Sequence, residues 1–110
     1  MFGNKETKLE KMVAKKNANG IIKLVSDKDA SIALKAVACL GKVPGDDSYN
    51  ALISLIRSPK AEIRAAAVSA LAEMGSPKAK AHIDPMLVGE KDAAVIAALK
   101  AAQAKIHGKE

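Results

Sequence analysis

Residues 17–44 read NANGIIKLVSDKDASIALKAVACLGKVP, and residues 48–75 read SYNALISLIRSPKAEIRAAAVSALAEMG. Laid one on the other at a shift of 31 residues, they align without a gap. Ile21, Ile22, Leu24 and Val25 fall on Leu52, Ile53, Leu55 and Ile56. Ile32, Ala36, Val37 and Leu40 fall on Ile63, Ala67, Val68 and Leu71. The expected capping residues coincide too, Asn17 on Ser48. A period of this length in an alanine- and leucine-rich chain predicts stacked helical hairpins, each hiding its apolar face only against its neighbours.

Within the first unit, Asn17 is expected to cap a helix through Ile21, Leu24 and Val25. Ser26 to Asp29 form the turn, and a second helix spans about Ala30 to Val43, with Ile32, Ala36, Leu40 and Val43 on one face. Pro44 stops that helix and Gly45 permits a left-handed exit. In the second unit Ser48 caps the first helix, Ser58 and Pro59 open the second, and Gly75 ends it after Met74. Ser76 and Pro77 open a third, degenerate unit in which Ile83, Met86 and Leu87 match Leu52, Leu55 and Ile56. Pro85 falls inside its first helix and is expected to kink or split it. Asp92 caps a last helix through about Ile106, where Val95, Leu99 and Ala102 continue the pattern at a shift of 32 after one inserted residue. Residues 4–16 fit the period as the second helix of an incomplete unit, with Leu9, Met12, Val13 and Phe2 as the face that docks on the first repeat. The expected organisation is a single domain over 1–110, with a capping helix at 4–16 and repeats at 17–45, 48–75 and 76–107. It is an all-α solenoid of about three hairpins and seven helices.

Composition agrees. Hydrophobic residues make up 49% of the 110-residue chain, yet it has one Phe, one Tyr and no Trp, so alanine and medium aliphatics must fill the interior. The net charge of +6 is uneven: residues 1–28 carry seven lysines against three acids, whereas residues 29–76 balance five against five. A single cysteine rules out an internal disulfide. The start, Met1 to Lys5, has no apolar run of signal-peptide length, and no stretch approaches the about 20 apolar residues of a membrane span, so a cytoplasmic location without membrane contact is expected.

The stretch from Ala61 to Gly75 resembles the second-helix signature of HEAT repeats, and more narrowly the short bacterial and archaeal HEAT-like class that includes the phycobilin lyases. Ile32 to Gly41 carries the signature again with Ala33 in place of the arginine. Val95 to Ala104 keeps its spacing with Ile96 for the arginine and Gln103 for the leucine. The resemblance implies a scaffold that binds proteins, and sometimes nucleic acid, on the concave surface lined by second helices. It also implies an ion pair between the signature arginine and a turn aspartate. Arg64 is the one such arginine here, with Asp27 as its expected partner; it is read as structural first and as a candidate partner-binding residue second. A bilin-lyase-like activity is the enzymatic reading the resemblance permits, and no residue selects it.

The reactive side chains are Cys39, Tyr49, His82 and His107. Cys39 sits mid-helix where Ala70 sits in the next unit, and a buried thiol there acts as a small hydrophobe. Neither histidine has a second His or Cys at ligand spacing, so no metal site is expected. Asp27, Asp29, Asp46 and Asp47 fall in inter-helix turns, where acids stabilise helix N-termini. No glycine-rich phosphate loop exists, and no catalytic residue or cofactor is expected.

Three surfaces remain. In the second helices, Lys35, Ala38 and Lys42, then Ala66, Ser69 and Glu73, then Ala98, Ala101 and Lys105 should face outward, forming a shallow small-residue groove with a charged edge. Such a groove suits a helix or an extended segment of a protein partner. Lys5, Lys8, Lys11, Lys15 and Lys16 cluster on or beside one short helix. They form a candidate anion patch that could bind a nucleic-acid backbone weakly and with steep salt dependence. The last helix is apolar around most of its circumference, so its outer face, including Ile96, is a candidate contact with a second copy.

Overall fold

The computed structural model describes residues 4–107, with the side chain of His107 excluded; Phe2 lies outside the described residues. Local chemistry sets most helix starts. Asn4 accepts the Thr7 amide at 2.8 Å and opens α1 (Lys5–Ala14). Asn17 accepts the Gly20 amide at 3.0 Å and opens the short α2 (Ala18–Ile22). Asp29 accepts the Ser31 amide at 3.0 Å before α3 (Ala30–Leu40). These are the side-chain oxygens that satisfy otherwise orphaned first-turn amides.

The second unit departs from expectation. Its first helix, α4 (Asp46–Leu55), starts two residues before Ser48. Gly45 is the N-cap, at φ +119°, so its glycine freedom serves the entry to α4 and not the exit from α3. Asp46 and Asp47 lie in the first turn and complement the helix dipole. Ser48 is therefore no cap; it is fully buried inside α4, and its hydroxyl has no hydrogen-bond partner among the described residues. Likewise α5 (Ala61–Met74) starts after Pro59, because Ser58 closes a turn by accepting the Lys60 amide at 3.1 Å. Gly75 ends α5 in the left-handed conformation, φ 73°, as expected. α3 ends at Leu40, three residues short of Val43, although Val43 is still buried.

A 3-10 turn at Pro77–Ala79 leads into α6 (Lys80–Gly89), which runs through Pro85 without splitting. Pro85 is exposed. Asp92 accepts the Ala94 and Val95 amides at 2.9 and 3.1 Å and caps α7 (Ala93–His107). The described residues thus contain seven α-helices and no strand.

α1 packs on α3, α3 on α5, and α5 on α7, while α2 rests on α3 and α4, α4 on α5, and α6 on α7. The molecule measures 43 × 27 × 17 Å, an elongated stack. Each helix inserts at least one fully buried aliphatic: Leu9, Ile21, Leu40, Leu52, Leu71, Ile83 and Leu99 in chain order. All belong to one continuous core. Gly41 permits a close approach between units. A Cβ there would meet the Ala70 carbonyl oxygen at 2.8 Å and the Ala70 Cα at 3.0 Å.

Candidate functional site

Two edges of the stack carry polar chemistry: the face of the second helices and the row of hairpin turns. On the face, Ala38, Ser69 and Ala101 are exposed, and Ala66 and Ala98 are half-buried. Lys35, Lys42, Glu73 and Lys105 are exposed around them. Lys35, Ala38 and Lys42 line one depression of about 300 Å³ between α1 and α3, together with Glu6, Leu9, Glu10 and Cys39. Lys35 is ion-paired to Glu6, which ties α3 to the capping helix.

Cys39 is half-buried, not buried, and lies in that depression. Burial pushes its thiol up. Glu10 and Glu73 push it further, against Lys42, so it is a poor thiolate nucleophile. Burial also raises the Tyr49 phenol, whose ring carries Lys78 at 4.5 Å from its centroid. His82 is half-buried in α6. No group of His, Cys, Asp and Glu among the described residues could hold a metal ion.

The turns share a device that the sequence reading missed. Asp27 Oδ1 accepts the Asp29 amide at 2.9 Å, Ser58 Oγ accepts the Lys60 amide at 3.1 Å, and Glu90 Oε2 accepts the Asp92 amide at 3.1 Å. Asp27, Ser58 and Glu90 are thus structural equivalents. In two of the three turns the acid also reaches back to a cation of the preceding unit. Lys5 meets Asp27 at 2.5 Å, and Arg64 meets Glu90 through Nε at 3.1 Å and Nη2 at 2.9 Å. Arg64 Nη1 also donates to the Ser58 carbonyl at 2.9 Å. The expected Arg64–Asp27 pair does not form, because Arg64 reaches forward to the following turn. The one-residue insertion hides Glu90 from a gapless alignment; placing the gap before it would have set Glu90 over Ser58. The hydrogen bond from Arg64 holds the Glu90 carboxyl below the usual carboxylate range, and the one from Lys5 does the same for Asp27.

The five candidate anion-binding lysines are all exposed but not alike. Lys5 is committed to Asp27. Lys15 is the C-cap of α1, and Lys16 lies beyond the helix at φ 57°. Ile96, placed on the outer face of α7, is half-buried, while Ala97, Ala101 and Ala104 of that helix are exposed. Among the described residues, the one large apolar side chain left in the open is Val88, 92% exposed. It falls where the other units hold Arg57 and Ser26, both exposed, and that mismatch was its available signal.

No helix among the described residues is long and apolar enough to cross a membrane. The family model for HEAT repeats matches residues 18–103. It does not reach down to the narrower phycobilin lyase class. No curated protein matches the sequence.

Proposed function

We propose, for a chain that belongs to the HEAT-repeat family, that the second-helix face binds a helical or extended segment of a protein partner in the cytoplasm. The family is a helical scaffold whose general role is protein interaction. The observation that carries the reading is the exposed row Ala38, Ser69 and Ala101 on three successive second helices, bordered by Lys42, Glu73 and Lys105. Small residues let a partner backbone approach closely, and the border charges fix its register. No aromatic anchor lies in the row, so modest affinity is expected.

Pull-downs from the native host with the wild type and with Lys42→Glu/Lys105→Glu test the reading. The double variant reverses two border charges on exposed positions and should fold normally. Loss of the wild-type partners supports the groove; recovery of the same partners from both proteins rejects it.

A further inference from the structure

The row of turn acids and back-reaching cations is interrupted between the first and second units. There the position of Arg64 is taken by Ala33 and the position of Glu90 by Ser58. Both side chains are too short to meet. A cavity of about 380 Å³ opens at this place, lined by Ala33 and Ser58 themselves. We propose that this gap is a binding site for an arginine side chain presented by a protein partner, which would supply from outside the rung that the chain lacks.

The next interface along the stack shows the occupant's chemistry. There Arg64 lies half-buried with its guanidinium between the Ser58 carbonyl and the Glu90 carboxylate. In the gap, the counterpart of the Ser58 carbonyl is the Asp27 carbonyl, which takes no hydrogen bond from the described residues. The carboxylate is supplied by Glu62, which lines the cavity, is exposed and has no ion pair among the described residues. Leu34, Leu55 and Ile63 make an apolar wall against which methylene groups can lie. A long aliphatic stem with a planar, many-donor cationic head fits that combination. Lys28 and Lys60 also line the cavity. Both are exposed on flexible stems, so they can swing into solvent when a cation enters. The site lies on the turn edge, apart from the second-helix groove, and does not depend on that groove being real.

The test is a titration of 15N-labelled protein with a capped Gly-Arg-Gly peptide, against the same peptide carrying citrulline, which keeps the shape and loses the charge. Amide shifts are expected at residues 27–34 and 58–63, with the citrulline peptide weaker by about tenfold or more. Glu62→Gln, at an exposed position, should weaken the arginine peptide without disturbing the fold. Ala33→Arg/Ser58→Glu fills the gap with the chain's own rung and should abolish the shifts. Equal binding of the two peptides overturns the proposal. So do shifts that centre elsewhere, such as at Asp46 and Asp47, or unchanged binding by Glu62→Gln. If the double variant fails to fold, the citrulline comparison and Glu62→Gln still decide.

Discussion

Ser48 shows how far a single residue can be read from its neighbours. It aligns with Asn17, a true cap, and serine is a favoured capping residue. Yet α4 begins at Asp46, because Gly45 adopts a positive φ that no β-branched or bulky residue would accept. That shift of two residues moves the Ser48 hydroxyl from a helix end into the core, where it finds no partner among the described residues. A cap that is removed costs about 0.5–2 kcal/mol. A buried hydroxyl without a partner behaves in the opposite way, since its removal relieves a desolvation cost. Ser48→Ala is therefore expected to leave the thermal midpoint unchanged or raise it. A clear fall in a circular-dichroism melt would mean that the hydroxyl caps or bonds something after all. Asn17, Asp29 and Asp92 were legible because each acts on an amide two or three residues away, and Gly75 because it acts through its own backbone. Ser48 was not, because its role depends on where the backbone turns before it. Val88 and the half-buried Cys39 were missed for a different reason: exposure is decided by what the next unit covers.

At the scale of elements, the helices are welded by apolar contact and trimmed by charge. Periodicity alone identified every second helix, since Ala36, Ala67 and Leu99 are fully buried at corresponding heights of α3, α5 and α7. The pairing of Arg64 could not be read the same way, because its partner sits beyond the inserted residue. That pairing makes a definite pH prediction. Glu90 has a folded-state pKa below its unfolded value, held there first by the hydrogen bond from Arg64. The resulting stabilisation is complete above the unfolded value of about 4.3 and is lost as pH falls through the folded value. Glu90→Gln should thus melt below the wild type at neutral pH. The two should converge as the pH is lowered from about 4 toward 2, where both side chains are neutral. Melts across that range check it. A gap that persists unchanged into acid would assign the role of Glu90 to shape and neutral hydrogen bonding.

At the scale of the molecule, a solenoid is a chain of joints, and each unit is held only by its neighbours. The joint between the capping helix and the first unit has Lys5–Asp27 and Lys35–Glu6. The joint between the second and third units has Arg64–Glu90 together with the most extensive helix packing in the stack, α5 on α7. The middle joint has no ion pair among the described residues and a cavity at its turn edge, so it rests on the apolar packing of α3 on α5, where Gly41 passes close over the Ala70 backbone. Gly41→Ala puts a methyl group 2.8 Å from a carbonyl oxygen that belongs to main chain and cannot rotate away. α3 must then lift from α5, at a cost of about 1–3 kcal/mol, typical of overpacking. Because that strain falls on the joint that has no ion pair among the described residues, the loss should not be shared evenly along the stack. Native-state hydrogen exchange is expected to quicken in α1, α2 and α3 while α5 and α7 keep their protection. Uniform acceleration in all helices would instead mean that the stack opens as one unit and that the middle joint is no weaker than the others.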